Sequence, residues 1–265
     1  MIDINNIKHK RIFCFGCSFT AGLGTWADLL KRHFGDYPRE DFHIPKDQPQ
    51  RVYNLGRAGA GNYYIFNKIV ESSLEYNFNK DDLILIEWSG VLREDRFKDG
   101  EWHTLGNVTN NPQYSKALLR DWFLDIEGMI KRDYSYIHAM QKMLKADNID
   151  YEMFSMNGVS RYDPANMEVK NRESEAINSL IELYKDTLDE LHPSMFKIVF
   201  GDETIWPEER LIFGLRYRDV HPSPIEDLDY LEKVFNFKPS DELTRWVEAM
   251  TKDFIKEHHK NYDYP

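Results

Sequence analysis

The chain predicts an α/β fold, a three-layer α/β/α domain on a mainly parallel sheet, and three observations carry that expectation. Ile12, Phe13, Cys14 and Phe15 form a continuous apolar run of strand length, and Leu83, Ile84, Leu85 and Ile86 form another. A run without polar alternation suits a strand buried on both faces, as in a parallel sheet. Both runs lead into small residues, Gly16 after the first and Ser89-Gly90 shortly after the second. Segments with apolar residues at helical spacing lie between such runs, the alternation expected of an α/β sheet.

In chain order, the first strand ends at Gly16 and is followed by Cys17-Ser18-Phe19-Thr20. Trp26, Leu29, Leu30, His33 and Phe34 then mark a first helix. Residues 35–50, with Pro38, Pro45 and Pro49, read as a polar loop, and residues 51–55 as a second strand. Gly56-Arg57-Ala58-Gly59-Ala60-Gly61-Asn62 is a flexible turn into a helix carrying Phe66, Ile69, Val70 and Leu74, with Asn62 as its expected cap. These glycines lack the spacing and the lysine-serine end of a phosphate loop. A tight turn that offers a backbone N–H fits them better, with Gly59 as the candidate.

The third strand follows Asp81-Asp82 and runs to Trp88. Residues 98–112 read as a loop bearing Trp102 and His103, and residues 114–146 as a long helix with a break expected at Gly128. Leu118, Leu119, Trp122, Phe123, Ile126 and Ile130 form its core stripe. Residues 151–156 give a fourth strand, residues 157–172 a polar loop, residues 173–191 a helix and residues 196–200 a fifth strand. Ser223-Pro224 and Ser240-Asp241-Glu242 start the last two helices, since a capping hydroxyl, proline at the first position and early acids all favour a helix start. The pair His258-His259 has no ligand-like partners and is not expected to bind metal.

At 265 residues the chain is long enough for a full core, and one elaborated domain, 1–265, with extra C-terminal helices is the simplest organisation. With 45 acidic against 34 basic residues it carries a formal charge of −11, which argues against nucleic acid as a partner. The first ten residues have no apolar stretch of signal-peptide length, and no run approaches a membrane span. The expected location is therefore the cytoplasm, with no membrane partner; release by lysis or within a virion stays open. The two cysteines, Cys14 and Cys17, are spaced C-x-x-C. Three extended residues separate their Cα atoms by roughly 10 Å, beyond the limit of about 7 Å for a disulfide. Cys14 is expected to be a small buried hydrophobe and Cys17 a turn residue.

Chemistry in open α/β sheets gathers at the carboxyl ends of the strands. Ser18 sits at such an end, where a serine either caps a helix or stands exposed as a nucleophile. Taken alone, this stretch favours the cap. Asp219 and His221 lie two residues apart before Pro222, which biases the backbone of His221 toward extended conformations and turns both side chains to one side. A carboxylate there can fix the imidazole tautomer and leave the other ring nitrogen to take a proton.

Gly16-Cys17-Ser18-Phe19-Thr20-Ala21-Gly22 resembles the first block of the SGNH (GDSL-type) hydrolases, with cysteine in place of their aspartate. Asn54-Leu55-Gly56-Arg57-Ala58-Gly59 resembles the second block and Asp219-Val220-His221-Pro222 the last, in the family's order. Many members space the last pair D-x-x-H, and this chain has D-x-H. The third block should supply an asparagine, but the chain has Trp88-Ser89-Gly90-Val91-Leu92-Arg93. The tryptophan-bearing loops and the WSG strand end are similar to SGNH-like proteins of phages and environmental bacteria.

The resemblance implies a flavodoxin-like sheet and a carboxylic ester hydrolase with catalytic Ser18, His221 and Asp219. It implies an oxyanion hole from Ser18, Gly59 and, in place of the asparagine, Ser89 or further backbone donors. Trp88 and Arg93 are the candidate substrate-binding residues, although solvated arginines are the default for Arg93 and Arg96. No cofactor and no metal are implied, and the partner is a small-molecule or glycan ester. Trp102, Trp206, Tyr162 and Tyr217 on otherwise polar segments suggest a carbohydrate O-acetyl ester. Two alternatives remain: O-acyl transfer by the same groups, or a non-catalytic binding or structural protein that keeps the scaffold.

Overall fold

A computed structural model describes residues 4–35, 51–108, 115, 117, 126–158, 171–201, 210–217, 219 and 221–260. Its centre is a four-stranded parallel sheet of β1 (Arg11–Phe15), β2 (Val52–Asn54), β3 (Asp82–Trp88) and β6 (Asp150–Ser155), in the order β2-β1-β3-β6. β1 pairs with β2 on one side and β3 on the other, so the strand order reverses direction at β1. Such a reversal opens a crevice at the carboxyl ends of the two central strands, the usual ligand position in this class of fold. Every residue of β3 is buried, as its unbroken apolar run requires. At the opposite end, Arg11 Nε and Nη2 each donate to Asp82 at 2.7 Å, fixing the register of β1 on β3 with a bidentate pair.

Helices cover both faces. One face carries α1 (Trp26–His33), α6 (Met195–Phe200), α7 (Pro224–Phe235) and α8 (Asp241–Lys260), which pack on one another. The other carries α2 (Asn62–Tyr76), α3 (Ile126–Ala146), α4 (Asn171–Leu183) and α5 (Lys185–Asp189). This is the three-layer α/β/α arrangement. Beneath α1 and α7 the rings of Trp26, Tyr230 and Phe235 close on Phe154 of β6 at 5.1, 5.1 and 5.9 Å. No helix among the described residues is long and apolar enough to cross a membrane.

Several expectations are corrected. Residues 196–200 are helical, not a fifth strand. Ser194 accepts from Lys197 N at the amino end and Gly201, at φ 77°, closes the carboxyl end, so caps decide what a short, mostly apolar run leaves open. α3 runs unbroken through Gly128, because one glycine inside a packed helix costs too little to end it. The part of that expected helix holding Leu118, Leu119, Trp122 and Phe123 lies outside the described residues. The expected helix over 173–191 divides into α4 and α5 at Tyr184.

The region read as a loop from residue 98 is half of a hairpin, β4 (Arg93–Lys98) and β5 (Glu101–Asn107). It turns through Asp99 and Gly100, both at positive φ, the two-residue pattern that matches strand twist. A second hairpin, β7 (Arg210–Ile212) and β8 (Leu215–Tyr217), turns the same way through Phe213 and Gly214.

Candidate active site

The end of β1 is shaped by a missing side chain. A Cβ on Gly16 would lie 2.0 Å from Thr20 Oγ1 and 2.8 Å from Glu87 Oε2. Only glycine lets the chain fold back so tightly, and the following residues make an isolated helical turn in which Thr20 N and Ala21 N donate to Cys17 O at 3.1 and 2.9 Å. Ser18 lies on this turn and is half-buried. It does not cap α1, whose N-cap is Thr25. The cap role weighed for Ser18 is therefore excluded.

The loop after β2 is strapped onto this turn. Asn54 Nδ2 donates to Thr20 O at 2.8 Å and Arg57 N to Gly16 O at 3.0 Å. A Cβ on Gly56 would meet Ala21 N at 2.8 Å, so this contact too depends on glycine. Ala60 N then donates to Arg57 O at 3.1 Å around Gly59 at φ 74°, a turn with the type II requirement for glycine at its third position. The β4–β5 hairpin braces it: Gly106 N donates to Gly59 O at 3.0 Å, Thr104 Oγ1 to Ala58 O at 2.8 Å, and Arg57 Nη2 to Trp102 O at 2.6 Å.

Asn62 is not the cap of α2. Its amide accepts from Ser89 N at 2.7 Å and donates to Ser89 O at 3.0 Å and to Asp133 Oδ2 at 2.8 Å. Asp95, from the hairpin, supplies the cap by accepting from Gly61 N at 2.9 Å and Tyr64 N at 2.8 Å. The distant carboxylate wins because it reaches two orphan N–H groups, which leaves the asparagine to anchor the end of β3. Ser89 is fully buried, with its peptide engaged by Asn62 and its hydroxyl beside the Cys17 thiol. Trp88 is also fully buried and has no exposed face. Arg93 is tied to Ala60 O at 3.0 Å, and Arg96 pairs with Glu94 at 2.7 Å. Both cysteines are buried free thiols pushed up by burial, so neither is a ready thiolate.

The far end of the chain returns to Ser18. Asp219 Oδ1 accepts from His221 N at 2.9 Å and lies 2.7 Å from His221 Nδ1. The first contact is an Asx-type turn, and it explains how the short D-x-H spacing brings one carboxylate oxygen to both the backbone and the ring. On the ring's other side, His221 Nε2 is 2.9 Å from Ser18 Oγ. The imidazole rests against Phe19 at a centroid distance of 5.0 Å and is 41% exposed.

Arg210 holds this segment and has no sequence signature, because what it grips on the segment is backbone. Its Nη1 donates to Asp219 O at 2.7 Å and its Nη2 to His221 O at 2.8 Å. Its Nε and Nη2 also pair with Glu226, which closes the Ser223 capping box of α7. The rings of Phe200 and Tyr217 cover the guanidinium at 4.6 and 4.8 Å.

Of the four aromatics expected to meet a sugar, Trp102 is buried and donates to Glu71, and Tyr217 is buried beneath Arg210. Trp206 and Tyr162 lie outside the described residues. The carbohydrate expectation thus loses both aromatics that can be placed.

No family model and no curated protein sequence matches the chain. Among solved structures, a candidate acylhydrolase from Bacteroides fragilis NCTC 9343 is similar at 12% sequence identity and a TM-score of 0.40, over 96% of this chain and 92% of that one. So loose an overlap bears on neither the chemistry nor the substrate.

Proposed function

We propose that the protein is a serine-dependent acyl-ester hydrolase, a single domain of the SGNH type. One observation supports this above the others: the continuous chain Ser18 Oγ, His221 Nε2, His221 Nδ1 and Asp219 Oδ1, with links of 2.9 and 2.7 Å. Residues 203 positions apart in sequence meet in the order that nucleophile, base and orienting carboxylate require.

In this mechanism Asp219 accepts a hydrogen bond from Nδ1–H, which keeps the proton on Nδ1 and leaves Nε2 free as the base. Ser18 Oγ attacks the acyl carbon while its proton passes to Nε2. The oxyanion is held by the N–H groups of Ser18 and Gly59; Ser89 is not used, since its hydroxyl is fully buried and its peptide N–H already serves Asn62. The imidazolium then gives its proton to the leaving alkoxide, and a water activated by the same nitrogen releases the acid.

Short acyl groups are the proposed substrates, because among the described residues the Gly59 turn carries only glycine, alanine and arginine side chains, which offer little apolar surface to a long chain. Hydrolysis of acetyl, butyryl and octanoyl nitrophenyl esters tests both parts. Activity that falls with chain length and disappears in Ser18→Ala is expected; a clear octanoyl preference overturns the substrate class, and full activity in Ser18→Ala overturns the mechanism. Ser89→Ala should leave kcat within a few-fold of the wild-type value, because its buried hydroxyl does not reach the substrate; a large loss of kcat would make Ser89 an oxyanion donor after all.

A further inference from the structure

Beneath the Ser18 turn lie two carboxyl groups that the mechanism does not use. Glu87, in the middle layer of the molecule on β3, has no exposed surface, and Asp227, on the first turn of α7, is 2% exposed. Glu87 Oε2 accepts from Thr20 Oγ1 and, at 3.5 Å, from Trp26 Nε1. The same indole N–H lies 3.2 Å from Thr20 Oγ1, while the backbone N–H of Trp26 donates to the Asp227 carboxylate. One residue therefore touches both acids. Glu87 holds Thr20, two positions from Ser18, and Asp227 belongs to the helix whose capping box begins two positions after His221.

We propose that Glu87 and Asp227 are positioning residues: a buried carboxyl pair that seats the nucleophile turn and the His221-bearing segment on a common anchor, Trp26. This rests on the hydrolase reading above for its consequence in catalysis, but the seat itself is a matter of geometry. Glu87 Oε1 and Asp227 Oδ1 are both buried without a hydrogen-bond partner among the described residues. An ionised carboxylate in that position would carry an unsatisfied charge in a dry interior, and two would repel. The pair is therefore suited to hold fewer than two charges at neutral pH.

The surrounding groups agree. Burial pushes Glu87 up to about 7 against the opposing pull of Thr20, Trp26 and Arg93. Burial, then Glu87, then Glu226 push Asp227 well above the usual carboxylate range, while the Trp26 N–H opposes them. Glu226 is paired with Arg210, and the buried Tyr230 hydroxyl donates to Pro193 O rather than to either acid. Cys17, facing Glu87, is a neutral buried thiol. Arg93 is the cation that acts on Glu87, and its guanidinium is bonded elsewhere, to Ala60 O and Met156 Sδ.

The test compares Glu87→Gln, an uncharged mimic of the protonated acid, with Glu87→Leu, which removes the polar seat; Thr20→Val reads the same contact where the leucine variant does not fold. Glu87→Gln should keep kcat near the wild-type value at pH 6 and flatten the alkaline fall of the wild-type profile, because its seat does not ionise. Glu87→Leu and Thr20→Val should lower kcat at least about tenfold with KM little changed, the sign of a misplaced nucleophile. Structures of the variants supply an independent reading: Ser18 Oγ should stay within hydrogen-bond distance of His221 Nε2 in Glu87→Gln and leave it in Glu87→Leu or Thr20→Val. Retained kcat and an unmoved Ser18 in Glu87→Leu or Thr20→Val would overturn the proposal. A wild-type protein inactive on every ester would instead count against the hydrolase reading, while the structural comparison would still decide the seat.

Discussion

The two halves of the candidate site are held in opposite ways. Ser18 is fixed from below: Gly16 permits a tight turn over Thr20 and Glu87, and Asn54 and Arg57 strap the next loop onto it. Asp219 and His221 are fixed from the side, by an Asx-type turn of their own and by one arginine that grips two backbone carbonyls. The first half is built into the central sheet, where displacement means opening the core. The second is partly exposed and is gripped by Arg210, so a single substitution there can loosen it. In the proposed mechanism the nucleophile would sit at a strand end built into the core and the base on a partly exposed segment.

The largest effect should come from cutting the link between the halves. Ser18→Ala and His221→Ala should each reduce kcat/KM for a short ester by at least about 10⁴-fold with thermal unfolding unchanged, since either change removes the proton-transfer pair. Equal activity in either variant would separate the hydrogen-bonded chain from catalysis.

Next is the clamp on the base side. Arg210→Ala should cost on the order of 10²-fold in kcat, as expected when a catalytic group loses its orientation. Arg210→Lys should not restore it, because an ammonium cannot reproduce the fork that reaches Asp219 O, His221 O and Glu226 together. A lysine variant with wild-type kcat would show that charge alone suffices and would weaken the contrast between the two halves.

On the nucleophile side the effect should fall on stability. Gly16→Ala forces a methyl against Thr20 Oγ1 and should destabilise the fold by about 1–3 kcal/mol, measured by denaturant unfolding. A neutral result would mean that the turn is more adjustable than the comparison holds.

The smallest effect is a pH dependence. Glu87 has a folded-state pKa raised from 4.5 to about 7 by burial. Stability tied to its neutral form is full below the unfolded value and declines as pH rises through the folded one. Glu87→Gln lacks this decline, so it should unfold at a higher temperature than wild type at pH 8 and at nearly the same temperature at pH 4. The same gap at both pH values would contradict the ionisation.

Much of this was legible in the sequence because burial and chemistry both leave marks there. The apolar runs of β1 and β3 read as interior strands, and Ser18, Asp219 and His221 stood out through the resemblance of their blocks to the SGNH pattern, since Ser18 alone read as a cap. Residues 196–200 misled because four apolar residues around Lys197 show no clear period, and only the caps Ser194 and Gly201 settle them as helix. The hairpin at Asp99-Gly100 carried its turn signal, yet its strands are mostly polar and read as loop. Asn62 looked like a cap because caps are its commonest use, whereas the cap came from Asp95, 34 positions from Gly61. Arg210 and Glu87 were invisible for a related reason: their roles lie in what they touch, and neither partner set follows from local spacing.

Reaction with a fluorophosphonate, followed by mass spectrometry of the modified peptide, tests the central claim most directly. One phosphonyl adduct is expected on Ser18 in the wild-type protein, formed far more slowly in His221→Ala and absent in Ser18→Ala. A wild-type protein that stays unmodified under conditions that label other serine hydrolases, or that carries the adduct on a different residue, would contradict it.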